Sequence, residues 1–209
     1  SNRCSYCSIP LLRGDLRSRQ PEEVVADARR YIDAGIVEIN LIAQDLASYG
    51  TDLPGIDLAG LIRSILEISG RYWLRMLYIH PDHFPEELLD ICASDSRLLP
   101  YFDIPFQHAS RRILKKMGRT GDGGSYGNLV KHIRKALPDA VVRSTFLVGF
   151  PGENREDFAE LRAFQEAVGF DWLGAFADCR EPGTAAFSYG VCPGLVYGLK
   201  KRVVRQRVD

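Results

Sequence analysis

Short strand-like runs alternate with helix-like runs along most of the chain, and this alternation restricts the fold more than any other feature of the sequence. Strands separated by helical crossovers pair in parallel, with right-handed connections. Gln20-Pro21-Glu22-Glu23 opens the first helix, with proline in its first turn and acids at the positive end of its dipole. Val24, Val25, Ala28, Tyr31 and Ile32 form its apolar face, and Gly35 stops it. Residues 37–43 are β-branched and apolar, which predicts a strand buried on both faces that ends at the polar pair Gln44-Asp45. Helical spacing over 58–68 precedes strand formers over 72–79. A helix is predicted over 85–92, a short strand over 101–105, and helices over 110–117 and 129–137. Residues 141–148 read as a further buried strand. Asn154 then caps a helix with the face Phe158, Leu161, Phe164 and Val168; Gly169 stops it, and the last strand is predicted over 171–177.

About five strands in 209 residues fall short of a complete eight-fold barrel, which takes about 250 residues. The expected fold is therefore α/β, either an open doubly wound sheet or a partial β/α barrel. In both, ligands sit at the C-terminal ends of the strands, where Gln44, His80, Pro105 to His108 and Gly149 to Gly152 fall. Lys plus Arg and Asp plus Glu each total 27, so the net charge is zero and bulk electrostatic binding of nucleic acid is not expected. No apolar run approaches the roughly 18 to 20 residues of a membrane span, and no signal-peptide core opens the chain. Five cysteines, an odd number in a chain of this length, point to a reducing compartment, the cytoplasm.

Cys4-Ser5-Tyr6-Cys7 is predicted in a loop ahead of the first helix. Two thiolates at this spacing can ligate one metal or cluster, form a redox pair, or be incidental surface thiols. A zinc site lacks a second pair, because Cys179 and Cys192 have no close histidine. A thioredoxin-like motif should open a helix directly, whereas a basic loop is expected to follow here. Arg13 to Arg19 is that loop, either a solvated turn or an anion or partner contact. Asp103-Ile104-Pro105-Phe106-Gln107-His108 gathers a carboxylate, an amide and an imidazole at one strand end. Gly149-Phe150-Pro151-Gly152-Glu153 joins the strongest strand to a helix and lets a ligand approach the backbone. Arg143, on that strand with Ser144, needs a partner such as Asp103 or a ligand carboxylate. Cys92, Cys179 and Cys192 read as structural.

In order, Arg3-Cys4-Ser5-Tyr6-Cys7-Ser8-Ile9-Pro10, Arg13-Gly14 with Arg17-Ser18-Arg19, Ile42-Ala43-Gln44-Asp45, Asp103 to Ser110, Arg143 to Glu153 and Glu181-Pro182-Gly183-Thr184 resemble the radical S-adenosylmethionine domain of the methylthiotransferases. Nearly the whole chain is covered. Ala43-Gln44-Asp45 and Gln107-His108-Ala109-Ser110 resemble the branch that modifies an aspartate of a small-subunit ribosomal protein. The tRNA-adenosine-modifying branch usually reads Gly-Gln-Asn and Gln-Ser-Gly-Ser there.

The resemblance implies a partial, open β/α barrel of the radical S-adenosylmethionine type with its first strand missing. It implies three cysteines holding a [4Fe-4S] cluster, one iron open to the amino and carboxylate groups of S-adenosyl-L-methionine, and a 5′-deoxyadenosyl radical. Cys4 and Cys7 are then metal ligands. Tyr6, Gln44, Asp45, Ser144, Gly149 and Phe150 bind the cofactor, with Tyr6 beside the adenine, Gln44 and Asp45 near the methionyl amino group, and Gly149 and Phe150 near the adenine edge. Asp103, Gln107, His108 and Arg143 line the cavity as catalytic residues around ribose, carboxylate or substrate. The third cysteine is expected just before Ser1. Residues 1–209 would be the central domain, without the N-terminal domain that carries a second [4Fe-4S] cluster and without the C-terminal TRAM domain. Partners are a ribosomal protein substrate and an external electron donor, with no membrane; nucleic acid enters only for the tRNA-modifying alternative. A reading from another class is a non-catalytic β/α scaffold that binds a partner through its arginine-rich loop. Lys200-Lys201-Arg202 with Arg205 and Arg207 reads as the basic face of a helix leading to the next domain.

Overall fold

The computed structural model describes residues 2–190. The elements in chain order are α1 (Ile9–Arg13), α2 (Pro21–Asp33), β1 (Glu38–Ile42), α3 (Leu58–Leu66), β2 (Trp73–Leu77), α4 (Glu87–Ser94), β3 (Leu98–Asp103), α5 (Arg111–Met117), α6 (Gly123–Ala136), β4 (Val141–Val148), α7 (Arg155–Val168) and β5 (Trp172–Ala177). They fall into two compact units. One gathers the chain up to Asp15 with Pro105–Lys131 and the chain from Val142 onward; the other gathers Leu16–Ile104 with His132–Val141.

In the second of these units β1, β2 and β3 pair in parallel, Glu38 opposite Trp73 and Met76 opposite Phe102, with a register shift between Leu74 and Met76. Leu74 and Met76 turn one face of β2 into a core with Ile62 and Ile65 of α3 and Leu88 of α4, all fully buried. Burial of each such side chain contributes about 1.5–3 kcal/mol. Asp57 starts α3 by accepting from the Gly60 N–H at 2.7 Å. Arg97 ends it, donating to the carbonyls of Leu66 (2.5 Å) and Ile68 (2.9 Å) while paired with Asp95. The strand expected over 37–43 forms, but it is not buried on both faces: Val37 is 63% and Ile42 67% exposed. An apolar run reports what a strand could bury, whereas helices cover only one face here.

In the other unit β4 and β5 pair in parallel from Arg143–Trp172 to Val148–Ala177. Val142, Ser144, Phe146 and Val148 are buried, and the intervening residues, Arg143 included, are half-buried on the opposite face. Phe106, Tyr126, Phe146, Phe164 and Phe170 form one aromatic cluster with ring centroids 4.7–6.2 Å apart. The helix expected at 129 begins at Gly123 instead. Asp122 and Ser125 cap it reciprocally, Ser125 N–H to Asp122 Oδ1 at 2.8 Å and Asp122 N–H to Ser125 Oγ at 2.9 Å. Glycine is a poor helix former, but at Gly123 packing restricts the alternatives: a Cβ there would stand a tight 3.3 Å from Ala109 Cβ.

Asn154 caps α7 as expected, in a reciprocal box with Asp157. Burial pushes the Asp157 carboxyl up, but Arg112, the Ser110 hydroxyl and the Asn154 N–H together hold it below the usual carboxylate range. A depressed carboxylate contributes stability above its unfolded pKa of about 3.9 and loses that contribution as the pH falls through its lower folded value. Arg112→Met should therefore be less stable than the parent at pH 7, with the gap closing below about pH 4, as read by urea unfolding at both pH values. Cys192 and the basic segment from Lys200 lie outside the described residues.

Candidate functional site

The cysteine loop is built as a tight turn. Cys7 N–H donates to Cys4 O at 3.1 Å, and both thiols are free and half-buried. Ser5 fastens the turn to the end of α5, its N–H to Met117 O at 2.9 Å and its hydroxyl to Lys116 O at 2.7 Å. Ser5 O in turn accepts from Ala186 N–H at 2.8 Å. Gly118 ends α5 in the left-handed region (φ 80°), a conformation that favours glycine, and a Cβ there would stand a tight 3.3 Å from Arg3 O in the approaching loop. The basic loop expected directly after the cysteines is interrupted by α1, which Pro10 helps to start. Ser18 and Arg19 are engaged locally, Ser18 N–H with Asp52 at 2.8 Å and Arg19 with Asp27 at 2.9 Å. Burial pushes the Cys92 thiol up to about 12, consistent with a core cysteine, whereas Cys179, read as structural, is exposed.

Tyr6, between the two cysteines, is edge-on to Phe150 with centroids 6.3 Å apart. Burial raises its hydroxyl well above the ordinary phenol range against the opposing pull of Arg119. Phe150 is fully buried and follows Gly149, whose φ is 79°. Glu153 shapes this turn: its buried Oε2 accepts from the N–H of Gly149 at 2.5 Å and of Phe150 at 3.1 Å. His108, also fully buried, stands behind it. Nδ1 accepts from the N–H of Ala109 and Ser110, each at 3.0 Å, which leaves the ring proton on Nε2, 3.8 Å from Glu153 Oε1. Gln107 holds an uncommon φ of 69° while its backbone bridges to β4, donating to Thr145 O at 2.9 Å and accepting from Leu147 N–H at 2.8 Å. Ser144 is fully buried, its hydroxyl accepting from the Phe106 N–H at 3.4 Å.

In the other unit Gln44 borders a cleft of about 410 Å³ with Ile42, Ala43 and Tyr78. Tyr78 has φ 64°, a strained value at the end of β2, and its carbonyl accepts from Leu46 N–H at 2.9 Å. Asp45 is nearly buried. Oδ1 accepts from the N–H of Ala47 (3.0 Å) and His80 (3.1 Å), and Oδ2 meets the Ser48 hydroxyl at 2.6 Å and His83 Nε2 at 2.7 Å. Burial pushes this carboxyl up, but those bonds outweigh it and hold it below the usual range. His83 stacks on His80 at 4.7 Å. Asp103 is fully buried at the end of β3, and Arg143 is half-buried in mid-β4.

The structure thus gathers Cys4, Cys7, Tyr6 and Phe150 in one unit, and Gln44 and Asp45 in the other. Three residues in these networks escaped the sequence reading: Glu153, Arg119 and His83. Glu153 falls within a quoted motif, and its place at the start of a helix beside a glycine turn is the signal that could have found it. Nothing in the sequence sets Arg119 or His83 apart from other surface-type residues.

The sequence profile of the Radical SAM superfamily matches residues 1–164, and the chain belongs to that superfamily. Among curated proteins, the ribosomal protein uS12 methylthiotransferase RimO of Thermodesulfovibrio yellowstonii is 44% identical over 188 residues, which is 90% of this chain and 44% of that protein. The RimO protein of Aquifex aeolicus is 45% identical over 188 residues, with 90% and 44% covered. This chain therefore spans somewhat under half the length of these relatives. Among solved structures, the radical S-adenosylmethionine methyltransferase TsrM from Kitasatospora setae superposes with a TM-score of 0.68 at 19% identity, over 88% of this chain and 36% of that one. Coproporphyrinogen III oxidase HemN from Escherichia coli gives 0.67 at 14% identity, over 96% and 48%. These likenesses confirm the expected fold class, a radical S-adenosylmethionine β/α barrel with parallel strands and an unclosed sheet.

Removing Glu153 tests the turn directly. Glu153→Ala leaves two buried N–H groups without their acceptor and should cost about 2–6 kcal/mol in urea unfolding, at about 1–3 kcal/mol per orphaned group. Glu153→Gln keeps an acceptor oxygen and should cost less than half as much.

Proposed function

We propose that this chain is the radical core of an enzyme that methylthiolates the β-carbon of an aspartate in ribosomal protein uS12. The observation that carries the reading is the ordered identity, 44–45% over nine-tenths of the chain, to RimO proteins. The local geometry fits the cofactors such an enzyme needs. Two free, half-buried thiols sit on one backbone-held turn, and a buried guanidinium with an unsatisfied Nε lies beside that turn. An anionic iron–sulfur cluster suits that donor set, and the third cysteine would come from a residue outside this chain. Bound to Cys4 and Cys7, the cluster would supply the electron that cleaves S-adenosyl-L-methionine and the open iron that orients its methionyl end.

The remaining tasks fall to the chain itself. Tyr6, half-buried and propped edge-on by the fully buried Phe150, offers its ring to the flat face of an adenine. Glu153 and His108 keep the Gly149–Phe150 backbone in the shape that lets a ligand come close. Asp45 spends its oxygens on the loop after β1 and on His83, and so presents the neighbouring Gln44 at the cleft, where the amide oxygen can accept from an ammonium. Arg143 faces away from the buried side of β4 and can receive a carboxylate, of cofactor or substrate. Asp103, Gln107 and Ser144 complete the expected site at strand ends or beside them. The intact enzyme carries a second [4Fe-4S] cluster on a further domain, draws electrons from an external donor and works in the cytoplasm. Among the described residues no helix is long and apolar enough to cross a membrane.

The test uses the full-length protein, reconstituted anaerobically. The parent should show cluster absorbance, cleave S-adenosyl-L-methionine and add a methylthio group to a uS12 peptide, as seen by mass spectrometry. Cys4→Ala and Cys7→Ala should each abolish all three. A parent protein that modifies tRNA and leaves uS12 untouched would reverse the choice of substrate, and a parent that shows none of the three would favour the non-catalytic scaffold.

A further inference from the structure

Arg119 is a buried cation to which the fold assigns no acid. It follows Gly118 just after α5 and is 6% exposed. Nη1 donates to Pro105 O at 2.9 Å, Nη2 reaches the Tyr6 hydroxyl at 3.4 Å, and Nε has no hydrogen-bond partner. Among the described residues no carboxylate stands within ion-pair distance of it; the groups that act on its charge are Tyr6, Cys4 and Tyr126. Burying a guanidinium without a counter-charge is strongly unfavourable, and arginine does not escape the penalty by giving up its proton. A Met or Gln could fill the same space, so the position calls for an anion on the side of the molecule where Cys4 and Tyr6 lie.

A [4Fe-4S] cluster on three thiolates is such an anion, and it becomes more negative by one charge when it is reduced. We infer that Arg119 is a positioning residue for the cluster: its guanidinium is the counter-charge of the cysteine loop, favours the reduced state over the oxidised one, and raises the reduction potential. This rests on the function proposed above. The step it affects is a one-electron transfer, in which an external low-potential carrier is oxidised and the [4Fe-4S]2+ state becomes [4Fe-4S]1+. No bond breaks at Arg119, and it keeps its proton throughout. Its hydrogen bond to Pro105 O fixes the guanidinium in place, so the charge acts from a constant position on the loop that Ser5 ties to α5.

The experiment is a redox titration of the reconstituted full-length protein, with dithionite as reductant and the EPR signal of the reduced cluster as readout, in the absence and presence of S-adenosyl-L-methionine. Arg119→Lys keeps the charge, Arg119→Gln keeps hydrogen-bond donors without it, and Arg119→Met keeps only the bulk. The midpoint of the Gln and Met variants should move to more negative potential without S-adenosyl-L-methionine present, while the Lys variant stays near the parent value. Folded Gln and Met variants that take up no cluster, beside a Lys variant that does, would support the same role. Parent-like potentials in the neutral variants would overturn it. So would a shift seen only with S-adenosyl-L-methionine, which would assign the charge to the methionyl carboxylate. Neutral variants that fail to fold even without iron, where the Lys variant folds, would place the charge in the fold and overturn it as well. A parent protein that holds no cluster would instead refute the proposed function.

Discussion

Parallel pairing is the constraint from which the rest of the structure follows. A strand that must return by a helix to start its neighbour leaves its C-terminal end with an abrupt change of direction, and the backbone there meets it with positive φ angles. Tyr78 follows β2 at 64°, Gln107 comes shortly after β3 at 69°, and Gly149 follows β4 at 79°. Glycine takes such a conformation readily, whereas Tyr78 and Gln107 each carry strain of about 1–3 kcal/mol. The helices cover one face of each strand, so the strained ends and the uncovered faces are where polar groups collect.

Three of the buried carboxylates are committed to backbone. Asp45 satisfies two N–H groups besides Ser48 and His83; Glu153 satisfies two in the glycine turn; Asp157 caps α7 while paired with Arg112. Each carboxylate converts a loop that would otherwise be irregular into a defined shape. The side chains proposed to meet the cofactor are then their neighbours, as Gln44 is to Asp45 and Phe150 to Glu153.

Element order and type were legible in the sequence because periodicity and caps report local physics. Asn154, Gly169 and Pro21 stand where they were expected, and β4 has the predicted limits. What could not be read was which face is covered, since residues 37–43 look alike whether one side or both are packed. The start of α6 was not legible because glycine has low helix propensity, whereas the close approach of Ala109 to Gly123 is tertiary. For the candidate site, the sequence placed Cys4 and Cys7 in a loop and Gly149 in a strand-to-helix turn, as the structure has them, but the contacts within those segments were not legible. Ser144 and Arg143 are adjacent in sequence and lie on opposite faces of β4; Arg119 has no local signature, because its meaning lies in an acid that is not there.

The short helix α5 touches two segments of the candidate site at once. Its last carbonyls hold the cysteine turn through Ser5. At its other end Ser110 meets Asp157, the N–H of the same residue donates to His108, and Arg112 reaches Gly152 O at 2.8 Å. Seven helical residues at about 1.5 Å each make a strut roughly 10 Å long. It works as a ruler: the thiols and the glycine turn are spaced by a count of residues, and a single insertion or deletion would change the distance by about 1.5 Å and rotate one end by about 100°. Arg111 and Lys115, exposed along the strut, can vary more freely than its length can.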